Sequence, residues 1–171
     1  LRFEASEKDL HGYSDSDWAT KHSTSGWVFL LNQAAISWGS KKQSSVALSS
    51  CEAEIMAASE ASKEAIYLSN FLGEVGEPQT EPVEMGMDNQ AAIASAYNPE
   101  HHGKLKHVER RHFYIREAIE AHRLCVPFVR SDANLADFFT KPLKPRRFFE
   151  LRDKIMNIKS PVMNITFPNA S

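Results

Sequence analysis

Cysteine is scarce in this chain: Cys51 and Cys125 are the two present in 171 residues, and they form no CxxC pair. Neither a disulfide framework nor a zinc site can be assembled from them, and both read as free thiols in a reducing compartment. No stretch approaches the roughly 20 consecutive apolar residues of a membrane helix, and the opening LRFEASEKDL lacks the pattern of a signal peptide. We therefore expect a soluble, unexported protein with no membrane partner. A basic excess is missing as well. With 20 Lys and Arg against 22 Asp and Glu, the formal charge is −2, so any grip on nucleic acid has to come from local patches. The first residue is Leu1 instead of Met, which reads as a piece of a longer polypeptide.

The length suits one domain with a sizeable core, and 42% hydrophobic with 25% charged residues is the balance of a globular chain. Strands come first. Residues 10–18, 26–31 and 34–40 are rich in β-formers, and Asn32-Gln33 reads as the turn between the second and third. The pattern then changes to helix formers over Ala53 to Glu74, preceded by the capping candidates Ser49 and Ser50 and stopped by Gly76 and Pro78. Pro82 to Met87 reads as a buried strand, DNQAAIASAY as a helix, Val108 to His122 as a helix, Cys125 to Arg130 as a strand and Asn134 to Phe139 as the start of another helix. Three strands followed by alternating helix and strand predict an α/β domain with a five-stranded mixed sheet. Its expected span is 10–145, with 1–9 ending a preceding segment and 146–171 forming a C-terminal helix and a disordered tail.

Four acids sit where elements begin or end: Asp15 in YSDSDW, Glu54 in SSCEAEIMA, Asp88 in MGMDNQAAI and Asp137 in ANLADFF. Each interrupts a segment otherwise suited to burial, where an uncompensated charge is costly. If they converge, two carboxylates about 4 Å apart repel by roughly 4 kcal/mol at an effective dielectric near 20. Divalent cations relieve such repulsion, and all-oxygen ligands favour magnesium or manganese. Two metals in a carboxylate cluster activate a water and stabilise a departing oxygen, which is phosphoryl-transfer chemistry. Within the long helix, Glu54, Ala58, Ala61, Ala65, Leu68 and Leu72 step by three and four, placing Glu54 on the sheet-facing side. Glu52 instead heads a line through Met56, Ser59 and Lys63 and reads as a solvated charge of the first turn. Asp15 and Asp17 lie two apart and share a face, so spacing leaves both open. Asp88 also fits an ordinary helix N-cap, and Asp137 an ordinary first-turn acid.

The words GYSDSDWA, STSGWVFLL, ISWGSKKQSSVALSSCEAE, DNQAAI, KHVERRHFYIRE and ADFFTKPL, between Gly12 and Leu143, closely resemble the ribonuclease H domain of copia-type LTR retrotransposon Pol polyproteins. The resemblance implies a ribonuclease H-like fold whose first three strands are antiparallel. It implies the acid order Asp15, Glu54, Asp88, Asp137 as catalytic and metal-ligating residues, with two Mg²⁺ or Mn²⁺ ions. Asp15 is preferred over Asp17 because Ser14-Asp15-Ser16 stands where such enzymes carry their first catalytic aspartate. The implied activity is hydrolysis of the RNA strand of RNA/DNA hybrids during reverse transcription. Reverse transcriptase and integrase modules of the same polyprotein are the implied partners, and cytoplasmic virus-like particles, with the nucleus as a further site, the implied location. The short ATKH after Trp18, Ile55 in an aromatic's usual place and Glu109 in an aspartate's usual place depart from the pattern without touching the four acids.

Ser16, Ser49, Asn89 and Gln90 neighbour these acids and are candidates to contact the hybrid, as are Lys104, Lys106 and His107 of the tract HHGKLKHVERRHF. His102 or His107 is a candidate for product release by transient protonation. Lys41, Lys42, Lys141, Lys144, Arg146 and Arg147 are further basic residues able to grip phosphates, although charge runs are usually only solvated surface. Trp18, Trp27 and Trp38 read as core or sheet-face packing. The competing reading is an inactive or domesticated copy that keeps the fold and binds nucleic acid or protein without cutting.

Overall fold

In the computed structural model of this protein, five strands make one mixed sheet in the order β3-β2-β1-β4-β5. The structure describes residues 1–3, 9–19, 21–98 and 114–159. β1 (His11–Asp17), β2 (Thr24–Leu31) and β3 (Ala34–Lys42) run antiparallel, while β4 (Val83–Gly86) and β5 (Leu124–Cys125) add in parallel beside β1. The helices are α1 (Ser50–Glu74), α2 (Gln90–Tyr97), α3 (described over 114–120), α4 (Asp137–Thr140) and α5 (Pro145–Met156). The expected mixed sheet, with its antiparallel first three strands, is therefore the observed one. Asn32 and Gln33 join β2 to β3 with φ of 51° and 65°. Positive φ at both central residues matches the twist of paired strands in a two-residue hairpin.

β2 shows how the sequence divides the core. Its odd-numbered Trp27, Phe29 and Leu31 belong to the face covered by α1, α2 and α3, whereas Val28 and Leu30 pack with Leu135 and with Leu151 and Ile155 of α5. Successive strand side chains alternate between faces, so one strand serves both layers. On α1, the buried Glu54, Ala58, Ala61, Ala65, Leu68 and Leu72 are the residues picked out by periodicity.

Several expectations need correction. Helix α1 starts at Ser50, three residues before Ala53, because the Ser49 hydroxyl accepts the Glu52 amide at 3.1 Å and caps it. Glu52 is buried, not solvated: its carboxylate accepts the Leu48 amide at 2.6 Å, while Met56 and Ser59 on the same line are buried too. Strand β5 is shorter than Cys125 to Arg130, since Pro127 has no N–H for a ladder. Pairing nevertheless resumes beyond it, where Met87 donates to the Pro127 carbonyl at 3.1 Å and accepts from Val129 at 2.8 Å. Trp18 and Trp38 are 52% and 54% exposed, so of the three tryptophans only Trp27 packs against the core. The expected helix start at 108 and most of the expected disordered tail lie outside the described residues.

Candidate active site

Chain direction brings all four acids to one end of the sheet. β1 and β4 are parallel, so Asp15 near the end of β1 and Asp88 just after β4 share an end. β3 runs in the direction of β1, because each is antiparallel to β2, and α1 therefore begins at that same end with Glu54 in its second turn. β5 is parallel to β4, and the chain leaving it reaches Asp137 at the start of α4 there as well. Carboxyl ends of parallel strands are where such sheets leave an open crevice.

Three of the acids meet. Asp15, Glu54 and Asp88 each place a carboxylate oxygen within 4.8 Å of the other two, with Asp15 and Glu54 buried and Asp88 half-buried. Asp17, at the end of β1, is only half-buried and stands outside this group, so the geometry selects Asp15 of the doublet. Asp88 is not the N-cap of α2: the Asn89 side chain accepts the Ala92 amide at 3.0 Å, which leaves the Asp88 carboxylate for the cluster. Asp137 is buried but clamped elsewhere, its Oδ1 2.7 Å from Lys141 Nζ and its Oδ2 3.7 Å from Arg147 Nη2.

Neighbouring residues hold these acids in place. The Ser16 amide donates to Glu54 Oε1 at 3.3 Å, while Glu54 Oε2 is buried without a hydrogen-bond partner. Thr140 donates its hydroxyl to Asp15 Oδ2 at 2.5 Å. That contact needs α4 pressed close to the sheet, and Gly26, the partner of Asp15 across the β1–β2 ladder, makes room for it. A Cβ at Gly26 would lie 2.5 Å from Thr140 Cγ2 and 3.1 Å from the Ala136 carbonyl. Fully buried Asn134 ties the approach to α4 to β1, donating to the Ser14 carbonyl at 3.0 Å and accepting the Ala136 amide at 3.0 Å. Spending that side chain on the turn also explains why the helix begins at Asp137 and not at Asn134.

The electrostatics follow from this crowding. Burial first, then the charges of Asp15 and Asp88, pushes the Glu54 carboxyl up to about 8. Burial is again the largest cause for Asp15, which rises to about 6 although the Thr140 bond and Lys141 pull it down. For Lys141, burial lowers the ammonium, but the bond to Asp137 and the charges of Asp15, Asp137 and Asp88 outweigh it, and the net direction is upward. A buried oxygen with no hydrogen-bond partner on Glu54, beside two more carboxyl groups, is a donor set suited to a cation. The all-oxygen donors fit a hard divalent ion such as magnesium or manganese, with Asp15, Glu54 and Asp88 able to hold it.

Other expected contacts divide. Gln90 is exposed beside Asp88, while Ser49 and Asn89 are committed to helix caps. Lys41 lies 3.8 Å from Glu60 and Arg146 3.1 Å from Glu150, while Lys141 and Arg147 lie against Asp137. His102, Lys104, Lys106 and His107 fall outside the described residues. Thr140, Asn134 and Gly26 were missed by sequence reading. Thr140 stands inside the word ADFFTKPL, three residues after Asp137.

No family model matches the chain. Among solved structures, ribonuclease H1 from Halobacterium salinarum aligns with a TM-score of 0.51 at 15% identity, covering 82% of this chain and 97% of that one. LC11 ribonuclease H1 in complex with an RNA/DNA hybrid aligns with a TM-score of 0.56 at 14% identity, covering 77% and 94%. The chain thus has the ribonuclease H fold. The Pol polyprotein of transposon TNT 1-94 from Nicotiana tabacum is 40% identical over 164 residues, 94% of this chain and 12% of that protein. That of transposon RE1 from Arabidopsis thaliana is 37% identical over 150 residues, 85% of this chain and 10% of that protein. By sequence, then, the chain is homologous to a segment of copia-type retrotransposon Pol polyproteins, and by fold it is ribonuclease H-like. It spans about an eighth of the length of the curated relative from tobacco.

Proposed function

We propose that this domain is a metal-dependent endoribonuclease that hydrolyses the RNA strand of RNA/DNA hybrids during reverse transcription, as one module of a Pol polyprotein. The convergence of Asp15, Glu54 and Asp88 from β1, α1 and the end of β4 carries this reading. Magnesium or manganese, two ions when bound, would supply an activated water and compensate the charge on the scissile phosphate. The chain's part is to hold and aim oxygen ligands. Asp15, Glu54 and Asp88 form the binding set, Thr140 fixes the rotation of the Asp15 carboxylate, and Asp137 is the fourth acid in reserve. No side chain has to act as a nucleophile.

Recognition of the hybrid would rest on 2′-hydroxyls displayed in a wide, shallow minor groove. Exposed Gln90, next to Asp88, is placed for such a contact. The solved complex of a fold neighbour with an RNA/DNA hybrid supports this substrate class, and the Pol polyprotein relatives support reverse transcriptase and integrase modules as partners. Particles that carry out reverse transcription are the setting such a module would serve.

The test is cleavage of an end-labelled hybrid with Mg²⁺. We expect products ending in 3′ hydroxyl and 5′ phosphate. Asp88→Asn should lower the rate at least about 100-fold while the circular dichroism spectrum stays that of the parent, since a charge is lost and the shape kept. Binding of the hybrid by the parent chain with no cleavage would defeat the nuclease assignment, and a full rate in Asp88→Asn would remove that residue from it.

A further inference from the structure

Lys141 occupies an unusual position for a surface cation. Its backbone directly follows Thr140, whose hydroxyl is bonded to Asp15, so its attachment point is anchored at the rim of the carboxylate cluster. Its ammonium is 2.7 Å from Asp137 Oδ1, and Arg147 reaches the other oxygen of that carboxylate at 3.7 Å. Of the four acids that the chain directions bring together, Asp137 is the one outside the group of three. The charge of Lys141 also acts on Asp15 and Asp88. Its side chain is 42% exposed, so it has an open path to solvent. A lysine ammonium is a compact charge on a flexible stem, readily exchanged for another cation, unlike the rigid two-pronged hold of an arginine.

We infer that Lys141 is a tethered counter-ion of this site: it compensates the cluster while divalent cations are absent, competes with them for Asp137, and releases that carboxylate when they bind. This rests on the nuclease reading of the same acids. Binding of divalent ions would then convert a three-acid site into a four-acid one, and Lys141 would move toward solvent.

The experiment is calorimetric titration of the 171-residue chain with Mn²⁺, without substrate, for the parent, Lys141→Gln, Lys141→Met and Lys141→Arg. Removing the ammonium should tighten Mn²⁺ binding about tenfold, equivalent to about 1.4 kcal/mol. Lys141→Arg, which keeps the charge, should bind no more tightly than the parent. In EDTA both neutral variants should melt at lower temperature than the parent, because Asp137 has lost its nearest partner, and Mn²⁺ should narrow that gap. Equal or weaker Mn²⁺ binding in the two neutral variants, with the parent still binding Mn²⁺ and cutting the hybrid, overturns the inference and spares the nuclease reading. No Mn²⁺ uptake by any of the four proteins overturns both.

Discussion

Glu54→Gln should make the metal-free protein more stable while destroying its use for metals. In the parent, burial and then the charges of Asp15 and Asp88 raise the Glu54 carboxyl from 4.5 to about 8. Below pH 4.5 the carboxyl is protonated in both the folded and unfolded chain and nothing is lost. Between there and about 8 the unfolded chain releases the proton and the folded chain keeps it, so stability falls as pH rises. At about 1.4 kcal/mol per pH unit, the loss is about 3 kcal/mol at pH 7 and about 5 kcal/mol when the climb is complete. Glutamine has nearly the same shape and no proton to lose. Urea denaturation in EDTA from pH 5 to 8.5 should show the parent weakening more steeply than the variant, with the variant ahead by about 3 kcal/mol near neutrality. Added Mg²⁺ should restore the parent and leave Glu54→Gln almost unmoved. Parallel pH profiles in EDTA, or an equal response of the two proteins to Mg²⁺, would refute the idea that Glu54 is a strained ligand awaiting a cation.

Other changes test the frame around that site. Asp15→Asn should lower hybrid cleavage at least about 100-fold, whereas Asp17→Asn should stay within a few-fold of the parent, because only Asp15 lies in the cluster. Paired single-turnover rates measure both, and similar losses in the two variants would show that the doublet acts jointly. Gly26→Ala puts a methyl 2.5 Å from Thr140 Cγ2 and should cost about 1 to 3 kcal/mol in thermal unfolding, with a larger relative loss of cleavage as the Thr140 bond to Asp15 lengthens. Unchanged stability and rate in Gly26→Ala would mean that α4 does not position Asp15.

Much of this architecture was legible in the residues themselves. The spacing of Ala58, Ala61, Ala65, Leu68 and Leu72 marked the buried face of α1, and Asn32-Gln33 marked the hairpin, because both depend on local periodicity and turn geometry. The residues left the convergence of the acids conditional and only the family resemblance implied it; strand direction, which puts the ends of β1 and β4 and the starts of α1 and α4 on one side, is what the structure adds. What stayed hidden depends on which of several identical chemical options a side chain takes. Nothing local says that Asn89 caps α2 and frees Asp88, that buried Glu52 turns back to Leu48, or that Lys141 reaches Asp137. The two exposed tryptophans failed for a related reason. Trp18 lies past the end of β1, where its indole donates to the Ala47 carbonyl at 3.2 Å, and Trp38 lies on β3, which has a partner on one side only.

The most direct measurement is a crystal of the chain grown or soaked in Mn²⁺, with anomalous scattering used to locate the ions. Density for Mn²⁺ bridging oxygens of Asp15, Glu54 and Asp88, at distances of about 2.0 to 2.3 Å, is the predicted result. Carboxylates that remain as they are with Mn²⁺ bound elsewhere on the surface would contradict it.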